Sequence, residues 1–220
     1  MTALLHIAVL ASGRGSNLAA LIAARDAGAL PVEFVLVASD KASAGALRLA
    51  EAAGIPTLAL NPKDYPDRPS FDRALFAPLE ASGAELLVLA GFMRVIDAAV
   101  VAGWEGRAIN IHPSLLPKYA GLHTHRRCLE AGEAEHGASV HYVTAELDGG
   151  PVVAQARIPV GAGDTEATLA QRLLAEEHRL LPAVVGAIAR GRLRWNGEAL
   201  FDGQPLTLPL TLAQLSQERL

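Results

Sequence analysis

Through its first half the chain repeats one pattern: a short, almost wholly apolar run, then an amphipathic stretch long enough for a helix. The apolar runs are Leu4–Leu10, Val32–Ser39, Pro56–Leu60, Leu86–Ala90 and Ala108–His112. Between them lie helix-like stretches at about Ser16–Ala27, Ala44–Ala53 ended by Gly54, and Ser70–Ser82 ended by Gly83. Strands that are apolar on both faces must be covered on both faces, which demands a mostly parallel sheet with flanking helices. The second half changes character. A helix is expected at Thr124–Ala131, then strands at Ala138–Thr144 and Val152–Val160, joined by the turn-like Leu147-Asp148-Gly149-Gly150-Pro151. So short a link favours antiparallel pairing. A long helix follows at about Glu166–Arg190, and Asn196-Gly197 between Arg192–Trp195 and Ala199–Phe201 reads as a hairpin turn. The Pro-rich stretch Asn61–Pro69 is expected to be a mobile surface loop. The fold class is therefore α/β: an open, mostly parallel sheet with flanking helices, Rossmann-like in its N-terminal half, and an antiparallel C-terminal part.

Composition supports a folded core and excludes several functions. Of the 220 residues 51% are hydrophobic and 19% charged, with a net charge of −4. No basic run is present, so neither nucleic acid nor a membrane surface is an expected partner. The single cysteine, Cys128, excludes an internal disulfide and cysteine-rich zinc or iron–sulfur sites. Met1-Thr2-Ala3-Leu4-Leu5-His6 lacks the features of a secretory leader, and no apolar run is long enough to span a bilayer, so a cytoplasmic protein is expected.

Four places carry candidate chemistry. Ser12-Gly13-Arg14-Gly15-Ser16-Asn17 follows the first strand and opens a helix, where glycines and free N–H groups suit a phosphate. Leu18 stands where a dinucleotide fingerprint needs a small residue, and the Gly-Lys-Ser/Thr of a P-loop is absent. A tight strand–helix turn capped by Ser16 explains the same residues. Asn110 and His112 alternate on one face of a strand, opposite Ile109 and Ile111, at the carboxyl end where open α/β sheets bind ligands. A hydrogen-bonded structural pair is the competing explanation. Asp148, beside Gly149 and Gly150, is a common turn residue, but a carboxylate next to His112 would raise the imidazole pKa. Glu177 falls on the apolar stripe of Leu169, Leu173, Leu180, Leu181, Val184, Val185 and Ile188, where it must pair internally, face a cavity or reach solvent from the stripe's edge. His123-Thr124-His125 lacks a third ligand at useful spacing, so no metal is expected; His141 and His178 are candidate supporting groups, and Cys128 a buried, inert one.

In order along the chain stand Ala11-Ser12-Gly13-Arg14-Gly15-Ser16-Asn17-Leu18, Leu89-Ala90-Gly91-Phe92-Met93-Arg94, Asn110-Ile111-His112-Pro113-Ser114-Leu115-Leu116-Pro117-Lys118-Tyr119, Leu122-His123-Thr124-His125-Arg126, Glu135-His136-Gly137-Ala138-Ser139-Val140-His141 and Glu146-Leu147-Asp148-Gly149-Gly150-Pro151. From about Ile7 to Phe201 the chain resembles the folate-dependent formyltransferases, in particular those acting on glycinamide ribonucleotide in purine synthesis. The resemblance implies transfer of a formyl group from 10-formyltetrahydrofolate to the amine of glycinamide ribonucleotide, with no metal. It implies Asn110, His112 and Asp148 as the catalytic trio. It implies Gly15, Ser16, Asn17, Leu174, Ala175, Glu176 and Glu177 as contacts to the ribonucleotide. It implies Arg68, Met93, Arg94, Val95, Ile96, Asn110 and Thr144, Ala145, Glu146, Leu147 and Asp148 as contacts to the folate. A single domain is expected, with a phosphate-binding half over about 1–105, a catalytic and folate-binding half over about 106–203 and a tail over 204–220, as a monomer or homodimer. Ala120 departs from a proline common in the family. A formyltetrahydrofolate hydrolase would be expected to add an N-terminal regulatory domain, and an enzyme making formyl-tRNA a C-terminal RNA-binding one. A non-catalytic phosphate-binding module would explain Ser12–Asn17 but not Asn110, His112 and Glu177.

Overall fold

In the computed structural model, which describes residues 4–217, the apolar runs assemble into one seven-stranded sheet of order β3-β2-β1-β4-β5-β6-β7. The strands are β1 Leu5–Leu10, β2 Val32–Ser39, β3 Thr57–Ala59, β4 Leu86–Leu89, β5 Ala108–His112, β6 Glu135–Tyr142 and β7 Val152–Pro159. Pairing from β3 through β5 is parallel, and β5–β6 and β6–β7 are antiparallel. The chain winds outward from β1 to β3, then returns to lay β4 on the other side of β1. Loops after β1 and β4 therefore leave the same sheet edge in opposite directions, and a crevice opens between them. The Ser12 N–H donates to the Gly91 carbonyl at 3.0 Å and ties the two loops together at their roots.

The sheet separates two cores, as strands apolar on both faces require. On one face Ile7, Val9, Val88, Ile109 and Ile111 pack under helices α1 Ser16–Asp26, α2 Gly45–Ala52 and the long α6 Glu166–Ala189. On the other, Ala8, Leu10, Leu87, Leu89 and Ala108 pack under α3 Arg68–Ala81 and α4 Ala98–Ala102. Helix α5, Thr124–Glu130, precedes β6. A second sheet of order β10-β9-β8 is built from β8 Leu193–Trp195, β9 Ala199–Phe201 and β10 Gln204–Pro205, and α7 Leu212–Ser216 follows it.

Several boundaries differ from expectation for local reasons. Asn61–Pro69 is not an unstructured loop: Asn61 caps a 3-10 turn at Pro62–Asp64, and Asp67 accepts the Ser70 N–H to start α3. Pro69 fits there because the first helical N–H groups have no partner to lose. Strand β6 begins at Glu135, earlier than expected, and contains Gly137, where a Cβ would collide with the Ala156 carbonyl and Leu115. Ser16 is not the cap of α1; Gly15 is, with φ 84° and no side-chain capping bond. Met1–Ala3 and the end of the tail lie outside the described residues. No described helix is long and apolar enough to cross a membrane.

Candidate active site

The loop after β1 is shaped by close packing. The left-handed φ of Gly15 suits glycine, and a Cβ there would stand 2.7 Å from the Ala46 Cα. The glycine is thus required by the fold whether or not a ligand binds. What the packing leaves behind is a start to α1 with no side-chain cap and no acidic residue in its first turn. Such an end favours an anion. Ser12, Gly13 and Arg14 of the same loop line a surface cavity of about 510 Å³ with Ser43, Gly45 and Arg48.

Asn17 and Glu177, singled out by unrelated patterns 160 residues apart, meet: Asn17 Nδ2 donates to Glu177 Oε2 at 2.8 Å, and both residues are buried. Burial pushes the Glu177 carboxyl above the usual range, and the Asn17 bond opposes it. Asn17 Oδ1 has no partner. Glu176, one residue earlier, turns to another face of α6 and pairs with Arg179 at 3.1 Å.

At the end of β5, Asn110, His112 and Asp148 come together. Ile109 and Ile111 pack into the core under α6, so Asn110 and His112 face the other side of the sheet. Leaving such polar groups buried and unpaired costs roughly 1–3 kcal/mol each. Here they are paired. His112 Nε2 lies 2.9 Å from the Tyr119 carbonyl, which can only accept, so Nε2 carries the hydrogen. His112 Nδ1 lies 3.4 Å from Asp148 Oδ2. Asp148 adopts a left-handed φ of 51°, which a short polar side chain tolerates. Its Oδ2 accepts the Gly121 N–H at 2.8 Å, and its Oδ1 lies 3.5 Å from Asn110 Nδ2. A Cβ on Gly150 would collide with the Tyr142 carbonyl, so the Asp-Gly-Gly turn packs against the end of β6.

Burial dominates the titration of His112. It holds the imidazole below its ordinary pKa, against the upward pull of the Tyr119 carbonyl and the Asp148 carboxylate. The expected net rise from Asp148 is therefore corrected: the carboxylate acts in that direction but desolvation outweighs it. For Asp148 burial pushes upward, yet bonds from His141 and the Gly121 N–H, with His112 nearby, bring its carboxyl below the usual range.

A small cavity of about 80 Å³ adjoins this trio. Its walls include Arg94, Val95, Ile96, Asn110 and Thr144 through Asp148, so the two expected folate-facing segments face each other across it. Met93 lies outside that lining and is exposed, its N–H held by Ser12 Oγ at 2.9 Å. The Arg94 guanidinium lies 4.9 Å over the Phe71 ring. Arg68 is exposed at the start of α3, also outside the cavity lining.

A formyl transferase family model matches residues 5–185, a span that contains every site residue just described. The chain belongs to the formyl transferase family. Similar proteins include the phosphoribosylglycinamide formyltransferase of Escherichia coli, 47% identical over 203 residues, covering 92% of this chain and 96% of that one. The human trifunctional purine biosynthetic protein adenosine-3 is 41% identical over 189 residues, 86% of this chain and 19% of that longer one. Among solved structures, phosphoribosylglycinamide formyltransferase from Coxiella burnetii superposes with a TM-score of 0.89 at 47% identity, over 93% of this chain and 96% of that one.

Two parts of this formyl transferase site were underweighted by sequence reasoning. His141 stands opposite Asn110 in the β5–β6 register. Its Nδ1–H donates to the Tyr142 carbonyl at 2.8 Å, and its Nε2 lies 3.1 Å from Asn110 Nδ2 and 3.6 Å from Asp148 Oδ1. The signal was the antiparallel pairing itself, which places facing residues in contact. The second is the backbone of Tyr119 and Gly121, which no side-chain pattern reveals. His125 and His136, by contrast, pair with each other at 3.0 Å, and burial draws His136 down to about 4. Cys128 is buried and its thiol is pushed up by burial, consistent with an inert role. Among the described residues no group of three or more His, Cys, Asp or Glu is placed to hold a metal ion.

Proposed function

We propose that this formyl transferase moves the formyl group of 10-formyltetrahydrofolate to the amine of glycinamide ribonucleotide, a step of purine biosynthesis. The observation that carries the reading is the convergence of Asn110, His112 and Asp148 beside a cavity walled by Arg94–Ile96 and Thr144–Asp148. The 47% identity to the E. coli phosphoribosylglycinamide formyltransferase over nearly both full lengths supports the same substrates.

The residues divide the work. The folate enters the cavity beside Asn110, and the uncapped start of α1 at Gly15–Asn17 takes the phosphate of the ribonucleotide. Glu177 and the unpartnered Asn17 Oδ1 give its amine two acceptors. With its pKa lowered by burial, His112 is neutral at neutral pH, with the hydrogen on Nε2. Its Nδ1 lone pair then takes the proton lost by the amine nitrogen as that nitrogen bonds to the formyl carbon. The carbonyl π pair moves onto oxygen, and the Asn110 amide N–H that makes only the long 3.5 Å contact with Asp148 Oδ1 turns to donate to that oxyanion. A donor so placed contributes about 3 kcal/mol to the transition state. The imidazolium formed is stabilised by Asp148 Oδ2. When the oxyanion collapses and the carbon–nitrogen bond to the folate breaks, Nδ1–H returns its proton to the departing folate nitrogen.

The test is an assay of the purified chain with 10-formyltetrahydrofolate, following tetrahydrofolate release with and without glycinamide ribonucleotide. Release that depends on the acceptor is expected. Equal release without it would make the enzyme a hydrolase, and no release in either case would overturn the reading.

A further inference from the structure

The segment from Tyr119 to His123 reaches both His112 and Asp148 with backbone atoms. The Tyr119 carbonyl accepts from His112 Nε2–H at 2.9 Å, and two residues later the Gly121 N–H donates to Asp148 Oδ2 at 2.8 Å. Any displacement of this segment therefore moves the ring and the carboxylate together. The segment contains no helix or strand, and its φ is left-handed at Tyr119 (59°), Gly121 (80°) and His123 (60°). Glycine takes that conformation freely, but tyrosine and histidine do not, so the segment holds its shape only if its surroundings impose it.

Arg127, in the last turn of α5, supplies that constraint. Its Nη1 donates to the Ala120 carbonyl at 2.7 Å and to the Leu122 carbonyl at 3.4 Å. Its guanidinium also lies 5.2 Å over the Tyr119 ring. One planar group thus grips three of the four residues from Tyr119 to Leu122. Glu133 fixes the other end, accepting from the Tyr119 hydroxyl at 2.9 Å and from Lys118 Nζ at 2.7 Å. Lying over a ring while one terminal nitrogen donates to two carbonyls uses the rigid planar guanidinium, which a lysine ammonium lacks.

We propose that Arg127 is a positioning residue for formyl transfer: by clamping the Tyr119–Leu122 backbone it orients the His112 ring and the Asp148 carboxylate together. The role rests on the reaction proposed above, but the clamp itself has an independent readout. Arg127→Lys keeps the charge and loses the planar group; Arg127→Met loses both. Arg126→Ala, on the same helix and paired outward with Glu166 at 3.3 Å, is the control.

Both Arg127 variants are expected to lower kcat about tenfold or more, because small misplacements of a catalytic group are costly. KM for each substrate should stay within about twofold, as loss confined to the transition state implies. Arg126→Ala should match the unaltered enzyme. In nitrogen-15 NMR the His112 Nε2–H signal, protected in the unaltered enzyme, should broaden by exchange with water in both Arg127 variants while the spectra remain dispersed. Unchanged kcat in Arg127→Met, full rate in Arg127→Lys, or a rise in KM alone would overturn the clamp. If the unaltered chain transfers no formyl group, the proposed reaction fails, and the His112 N–H signal alone decides whether Arg127 holds the segment.

Discussion

At Glu177, burial and hydrogen bonding pull in opposite directions. Desolvation disfavours its charge, Asn17 donates to it, and the carboxyl titrates above its usual range. Glu177→Gln should therefore stabilise the fold, because it removes a buried charge and keeps an acceptor for Asn17. The same change should weaken glycinamide ribonucleotide binding about tenfold, the scale of one charge-assisted hydrogen bond. A thermal melt and a calorimetric titration on one variant check both, and a variant less stable than the parent would contradict the first. Asp148→Asn removes the carboxylate that raises the His112 pKa, so that pKa should fall further. The imidazolium of the proposed reaction would also lose its counter-charge, and kcat should drop by roughly 10²–10³. An NMR titration of His112 showing no downward move would separate the two residues. Glu177, Asn110 and His112 were legible from the sequence because polar groups on apolar patterns ask for an explanation, and Asn17 because it ends a glycine-rich loop that opens a helix. Their partners were not. A contact across 160 residues and a carbonyl at Tyr119 leave no trace in composition or spacing.

The elements that position these groups follow from local chemistry to different degrees. The long apolar strands and α6 were legible because their periodicities are strong. Helices α4 and α7 and strand β10 are only two to five residues long, too short to show a period. The start of α3 was hidden by prolines that read as loop but sit where helices accept them. The β1–α1 turn shows why a glycine motif alone was ambiguous: Gly15 is needed for its backbone angle and for the approach of α2. Gly15→Ala should cost about 1–3 kcal/mol, the range for a strained non-glycine backbone. The contact with Ala46 should also displace the start of α1 and raise KM for the ribonucleotide. Denaturant unfolding and steady-state kinetics measure the two effects, and a variant with native stability would remove the packing explanation.

For the whole molecule, histidines whose pKa burial lowers make stability depend on pH. His136 titrates at about 4 in the fold, with burial the main cause and His125 and His112 as further contributors. In the unfolded chain it takes its proton near 6.5. Its contribution is therefore complete above pH 6.5 and is lost as the pH falls from there toward 4, about 3 kcal/mol in all. His125, His112 and His178 are lowered as well and act with the same sign. Unfolding free energies at pH 7 and pH 5 should differ accordingly, and His136→Leu should shrink the difference; equal stabilities in the parent would refute this.

The sheet that divides the two cores also divides the proposed substrates. The cavity proposed for the folate draws Leu89, Phe92, Ile96 and Val101 from the core under α3 and α4, whereas Glu177 lies on the buried stripe of α6, which covers the opposite face of the sheet. The two molecules thus approach from opposite faces and meet only at the strand ends, so neither closes the other's entrance. Substrate addition then has no compulsory order. A dead-end analogue of one substrate that inhibits uncompetitively toward the other would reveal an order that the architecture does not impose.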